Sequence, residues 1–144
     1  MGFNERLAIK VIEMSRLREQ GVGGETIKEE LNLLQCMSHP YILNAKQLLY
    51  DTKRFYIVTE FLEGKDGLGT ILDTKNQRFI ETDCAKIIKQ ILLALSYMHK
   101  RNITHRDIKL ENIVFESKDH KDMGIKVIDF GLSCVFDPDA GGLT

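Results

Sequence analysis

Tryptophan is absent from this 144-residue chain, proline occurs twice and cysteine three times. With so little proline there is no Pro-rich linker, and no repeat or low-complexity tract marks an internal boundary. Cys36, Cys84 and Cys134 lie far apart with no CxxC pair. That spacing argues against a zinc knuckle or a disulfide framework and reads as reduced thiols of an intracellular, cytoplasmic protein. The four histidines, His39, His99, His105 and His120, show no metal-ligand spacing such as HExxH. An excess of one charge is lacking too: 20 Lys and Arg stand against 21 Asp and Glu, a net charge of −1. This argues against a bulk electrostatic hold on nucleic acid or an anionic membrane. No apolar run approaches the roughly 18 residues that a membrane span needs. The start, Met1-Gly2-Phe3-Asn4-Glu5-Arg6, has no hydrophobic secretory core, and Arg6 stands where myristoylation wants Ser or Thr. What remains is a globular composition, 43% hydrophobic and 28% charged, of the length of one ordinary domain.

Local patterns predict a mixed chain. Leu7-Ala8-Ile9-Lys10-Val11-Ile12-Glu13 reads as a strand that contains one lysine. A loop with Gly21, Gly23 and Gly24 opens a helix with Thr26 as cap and Glu29 three residues on, closed by His39-Pro40. Ile27, Leu31, Leu34 and Met37 keep helical spacing on it. Strands around Gln47–Tyr50 and Phe55–Glu60 are joined by Asp51-Thr52-Lys53-Arg54 as a hairpin turn. Glu63–Gly69, with three glycines, reads as a turn-rich connector. The clearest helix runs from about Glu81 to Arg101, where Ile87, Ile91, Leu95 and Met98 recur at helical spacing and Ile88 and Leu92 widen the stripe. Short strands follow at Asn112–Glu116 and Ile125–Asp129, with the charged Lys118–Asp122 as a solvated turn. A division near Gly64–Gly69 leaves a first half rich in strand and a second rich in helix.

The densest polar cluster is His105-Arg106-Asp107-Ile108-Lys109-Leu110-Glu111-Asn112, in the loop after the long helix. Seventeen residues past Asn112 stands Asp129-Phe130-Gly131. Phosphoryl transfer requires a carboxylate that orients the attacking hydroxyl, a cation on the phosphates, and oxygens that hold a metal. Asp107, Lys109, and the pair Asn112 and Asp129 supply these in turn, and hard Asp and Asn oxygens suit Mg²⁺. Gly131 lets the chain turn directly after the metal-binding aspartate.

At these residues the chain resembles the eukaryotic-type protein kinases. His105–Asn112 is similar to their catalytic loop and Asp129-Phe130-Gly131 to their metal-binding DFG motif. Leu7-Ala8-Ile9-Lys10 resembles the VAIK strand, and Glu30, ten residues before Pro40, matches the helix glutamate that pairs with that lysine, with Glu29 as its competitor. The resemblance implies an α+β, two-lobed protein-kinase-like fold with nucleotide held between the lobes. It implies ATP and Mg²⁺ as cofactors and Ser or Thr hydroxyls of a protein as acceptors, since Lys109 follows Asp107 at the spacing of the Ser/Thr-specific loop. It also assigns a nucleotide site. Lys10, paired with Glu30, would meet the phosphates. Ala8 and Val114 would wall the adenine, with Thr59 as gatekeeper beside it. The Glu60 carbonyl and Leu62 backbone would meet the adenine edge, and Asp66 the ribose. His105 would be structural and Arg106 regulatory. The wording of residues 81–99 and 125–133 is most similar to the calcium/calmodulin-dependent and calcium-dependent kinases, although no DxDxDG calcium loop occurs.

The resemblance also sets out departures. Residues 1–63 correspond to part of an N-lobe with its hinge, and 64–144 to part of a C-lobe up to the activation segment. Six residues before Leu7 are too few for the Gly-rich loop and its strands, and no APE motif or late helices follow Thr144. Ala45 stands where a leucine is usual, and Leu110 where proline is common. Two readings follow: a Ser/Thr kinase met here as a fragment, or a truncated, inactive kinase-like protein that acts as a binding or regulatory module. Neither reading includes a nucleic-acid partner or a membrane span, and oligomeric state is left open.

Overall fold

The computed structural model describes residues 5–15, 32, 35–119, 123–130 and 133–135. Most of the helix expected after the glycine-rich loop, including Glu29 and Glu30, lies outside these residues, as does Gly131. The chain divides into two units, Met1–Ser38 with Leu43–Phe61, and His39–Ile42 with Leu62–Thr144.

The first unit is built on a three-stranded antiparallel sheet. Its strands are β1 (Leu7–Glu13), β2 (Ala45–Tyr50) and β3 (Arg54–Glu60), in the order β1-β3-β2. The central position of β3 accounts for its composition. Phe55, Ile57, Val58 and Thr59 are all buried, as a strand covered on both sides requires. Ala45, Phe55 and Ile57 form the core, with Ile12, Met14 and Leu48 packed against it. The β2–β3 turn is locked by the Asp51 carboxylate, which accepts from Lys53 N at 2.6 Å, Arg54 N at 2.8 Å and the Tyr56 hydroxyl at 2.8 Å.

In the second unit, helix α1 (Gly67–Asp73) begins inside the segment expected to be a connector. Gly67 and Gly69 disguise it in sequence. Asp66 starts it by accepting from Gly69 N at 2.7 Å, and burial of Gly67 and Thr70 holds it. Helix α2 (Glu81–His99) has Glu81 and Asp83 in its first turn and His99 in its last, each favourable to the helix dipole. It ends at His99, and three residues on Asn102 takes a left-handed φ of 59°, a conformation asparagine tolerates. Its buried positions are Ile87, Gln90, Ala94 and Met98, whereas Ile88 and Leu92 are exposed. The expected stripe holds at Ile87 and Met98, which are buried, and at Ile91 and Leu95, which are half-buried; Ile88 and Leu92 do not widen it, and a glutamine belongs to it.

Helix α2 packs on β4 (Ile103–Thr104) and β6 (Ile125–Val127). Strand β4 pairs with β7 (Cys134–Val135), and β5 (Ile113–Phe115) pairs with β6, both antiparallel. The two short strands are narrower than the runs read from sequence, because a 3₁₀ turn occupies Leu110–Asn112 and irregular backbone begins at Ile128. Phe115, Ile113, Ile125, Val127 and Met98 centre the core of this unit. The segment His39–Ile42 is tied to it by Val127 N, which donates to Tyr41 O at 2.9 Å. Among the described residues no helix is long and apolar enough to cross a membrane.

Candidate active site

The loop between β4 and the 3₁₀ turn gathers three of the expected groups. Asp107 Oδ2 accepts from Lys109 Nζ at 2.7 Å and from Asn112 Nδ2 at 2.9 Å, and the same amide donates to Asp107 O at 2.8 Å. Asn112 is buried and Asp107 half-buried, while Lys109 reaches from the surface. The bonded Lys109 ammonium, with the Asn112 amide, holds the Asp107 carboxyl below its ordinary range, and Asp107 in turn raises Lys109. Both amide hydrogens of Asn112 point to Asp107, which leaves its carboxamide oxygen as the donor for a cation.

The loop is joined to Asp129 through its neighbour. Ile128 N donates to Asn112 O at 2.9 Å, and Ile128 O lies 3.0 Å from His105 Nε2. Asp107 N donates to His105 Nδ1 at 3.3 Å, so the ring proton belongs on Nε2, directed to Ile128 O. Burial lowers the His105 pKa, which keeps the ring neutral. Phe130 packs against it in a tilted ring contact, with ring centroids 5.0 Å apart. Residues on both sides of Asp129 are thus anchored to the catalytic-type loop. Asp129 itself is exposed with φ at 61°, and Arg106 has φ at 64°. Both are left-handed conformations that non-glycine residues adopt at a cost and that surrounding contacts must sustain.

The Asp129 carboxylate and the Asn112 carboxamide oxygen are hard donors of the kind Mg²⁺ prefers. Among the described residues no group of three or more His, Cys, Asp or Glu gathers as a metal cage.

The remaining expected residues are distributed between the units. In the first, Ala8 lies directly across from Thr59 in the β1–β3 register, and Thr59 is also opposite Ala45. Lys10, two residues on from Ala8 and opposite Ile57, shares that face of the sheet. Glu60 is occupied through its side chain, whose Oε1 accepts from Asn44 N at 2.9 Å. In the second unit, Leu62 is half-buried, Val114 is paired with Lys126, and Asp66 bridges to Val114 while capping α1. One buried polar residue escapes sequence reading: Gln90 on α2, hydrogen-bonded to both sides of the turn into β6. The signal for it is a carboxamide three residues after Ile87, inside an otherwise apolar stripe.

Comparison with known proteins agrees with this geometry. The protein kinase domain family matches residues 2–141. Calcium-dependent protein kinase 4 of Plasmodium falciparum is 41% identical over 130 residues, covering 90% of this chain and 24% of that protein. CBL-interacting serine/threonine-protein kinase 13 of Arabidopsis thaliana is 33% identical over 131 residues, 91% of this chain and 24% of its own length. Calcium/calmodulin-dependent protein kinase cmkA of Emericella nidulans is 34% identical over 140 residues, 96% of this chain and 32% of that protein. The chain thus spans a quarter to a third of the length of these relatives. With the catalytic-type loop and the DFG aspartate held together in one unit, and with residues 2–141 matched by the family, this chain belongs to the protein kinase domain family.

Proposed function

We propose that the chain carries the catalytic and nucleotide-handling part of a protein serine/threonine kinase, which moves the γ-phosphoryl group of ATP to a Ser or Thr hydroxyl of a protein. The observation that supports this best is the bonding of one carboxylate, Asp107, to both Lys109 and Asn112. Phosphoryl transfer passes through a loose transition state in which positioning and charge stabilisation dominate. A carboxylate held ionised accepts a hydrogen bond from a hydroxyl and so orients its oxygen. Asp107 takes that role, Lys109 holds Asp107 and presents positive charge on the phosphate side, and Asn112 and Asp129 are the residues that would hold Mg²⁺. Bound Mg²⁺-ATP supplies the phosphoryl group and the neutralisation of its charge.

In the same reading Lys10 and Glu30 serve the phosphates, while Ala8 and Val114 wall the adenine beside Thr59. The Glu60 carbonyl and Leu62 backbone meet its edge. The Asp66 oxygen not used in capping α1 meets the ribose. The halves 1–63 and 64–144 act as partial N-lobe with hinge and partial C-lobe; the break after Phe61 supports that division. Three unpaired cysteines fit an intracellular, cytoplasmic setting.

The test combines binding with turnover. Mg²⁺-ATP is expected to raise the melting temperature of the chain, and labelled phosphate is expected to pass to a Ser/Thr peptide. Asp107→Asn is expected to cut transfer by roughly 100-fold or more while leaving the nucleotide-dependent shift in place. Wild-type transfer by Asp107→Asn would remove the residue from this role. Nucleotide binding without any transfer by the unaltered chain would instead favour the truncated binding or regulatory module.

A further inference from the structure

Gln90 is 7% exposed, in the middle of the buried face of α2. Its Nε2 donates to Met123 O at 2.8 Å and to Lys86 O at 3.2 Å, and its Oε1 accepts from Ile125 N at 3.1 Å. The two hairpin partners belong to residues that are themselves buried, Met123 at 6% and Ile125 at 0% exposure. Met123 also has a φ of 50°, a left-handed conformation uncommon for a residue with a side chain. One carboxamide therefore clamps the entry to β6 to the helix behind it.

The clamp bears on the site through a short path. The β5–β6 ladder contains only three residue pairs, Ile113 with Val127, Val114 with Lys126 and Phe115 with Ile125. All three β6 residues are buried, with the Lys126 ammonium 3.5 Å from Glu116 Oε1 between the apolar Ile125 and Val127, so a displaced hairpin would misplace a buried charge as well as apolar surface. Directly after Val127 comes Ile128, bonded to Asn112 O and facing His105, and then Asp129. Without Gln90, the Met123 carbonyl and Ile125 N–H would be buried and unpartnered, and the hairpin would have to shift to satisfy them. A shift in β6 is carried by the backbone into Asp129.

We infer that Gln90 is a positioning residue for phosphoryl transfer: it fixes the register of β5–β6 against α2 and thereby the place of Asp129 relative to Asn112. The inference rests on the metal-holding role given to Asp129 and Asn112 above. It is tested on the full chain by NMR, with Mn²⁺ in the presence of ATP as the probe. The comparison is made between Gln90→Leu, Gln90→Glu and Ile87→Val at equal distances below their melting temperatures. Ile87→Val trims the same buried face at a side chain that makes no hydrogen bond to the hairpin.

Gln90→Leu is expected to shift the Ile125 and Asp129 amide signals before any ligand is added. It is also expected to raise the Mn²⁺ concentration that broadens the Asn112 and Asp129 signals by about tenfold, the low end of what loss of an outer-shell partner costs. Gln90→Glu keeps an acceptor for Ile125 N–H but sets a carboxylate against the Met123 carbonyl, and is expected to lose metal affinity as well. Ile87→Val is expected to respond as wild type. Wild-type metal response in Gln90→Leu overturns the inference, as does the same response in Gln90→Glu should Gln90→Leu not fold. An equal loss in Ile87→Val also overturns it, by reducing the effect to general stability. If the unaltered chain shows no Mn²⁺ broadening at these two residues, the metal reading fails instead. Positioning is then decided by the ligand-free Asp129 shift in Gln90→Leu: a displaced signal upholds it and an unmoved one overturns it.

Discussion

His39 shows how much a single residue can carry that a motif does not announce. Its Nδ1 accepts from Tyr41 N at 3.2 Å, its ring contacts Tyr41 and Tyr97, and Lys126 and Arg101 add positive charge around it. Burial, then Lys126 and Arg101, lower its pKa. In the unfolded chain the ring protonates as pH falls through about 6.5, while the folded ring resists. Between the lowered folded value and that point the unfolded state binds more protons, so stability falls as pH falls through the window. Burial lowers His105 in the same direction. His39→Asn keeps an oxygen where Nδ1 sits but cannot titrate. Its melting temperature is expected to decline less than that of wild type between pH 7.5 and 5.5, with a residual slope from His105. An unchanged slope would show that His39 is not a source of the pH dependence. The catalytic-type residues were legible for a different reason: Asp107, Lys109, Asn112 and Asp129 form a linear pattern that chemistry can interpret. Gln90 and His39 act through tertiary contacts with Ile125 and Lys126, and no spacing rule displays those.

At the scale of elements, periodicity found α2 because nineteen residues repeat its apolar spacing, and alternation with a tight Asp51 turn found the β2–β3 hairpin. That Gln90 and Ala94 flank the buried stripe of α2 while Ile88 and Leu92 stay in water was not legible, since apolar residues lie on more than one side of the helix and only packing on β4 and β6 selects between them. Helix α1 was missed because glycine is read as a turn former, whereas here Gly67 is used for close approach: an added Cβ would stand 2.9 Å from Leu110 O. The same use is stronger at Gly64. A Cβ there would stand 2.5 Å from Phe115 O, the atom to which Gly64 N donates at 3.1 Å. The connector from Glu63 to Lys65 runs along β5 through this contact, with Phe115 N donating to Lys65 O at 3.0 Å. The three nearest atoms are the Phe115 carbonyl oxygen, Cβ and carbonyl carbon, none of them the far end of a flexible side chain. Gly64→Ala is therefore expected to destabilise the chain by about 1–3 kcal/mol, as overpacking of a tight contact does. Chemical denaturation measures it, and a midpoint equal to wild type would mean that the connector is not held against β5.

At the scale of the whole molecule, the two units share a property that neither motif nor ladder reveals: each presents apolar side chains to solvent. On β1 of the first unit, Leu7, Ile9 and Val11 are 46%, 61% and 51% exposed, along a strand that pairs with β3 on one side. On α2 of the second, Ile88 and Leu92 are 53% and 59% exposed, one helical turn apart on the same face, with Leu93 beside them. A helix with one face packed on β4 and β6 and a second apolar face in water behaves as a surface waiting for cover. A strand edge with apolar residues alongside carries the same tendency. The chain is thus expected to self-associate in a concentration-dependent way, measured by light scattering. Because burial of apolar area drives the association, charge placed on the helix face opposes it without disturbing the core, where Ile87, Ala94 and Met98 lie. The pair Ile88→Glu with Leu92→Lys is expected to reduce the associated fraction while leaving the melting temperature of the dilute chain near that of wild type. Its i, i+4 order sets the acidic residue N-terminal to the basic one, the favourable sense on a helix. A wild-type chain that stays monomeric as concentration rises would show that these faces are too scattered to associate. Equal association in the double variant would place the sticky surface on β1 instead, where Ile9→Lys becomes the substitution that tests it.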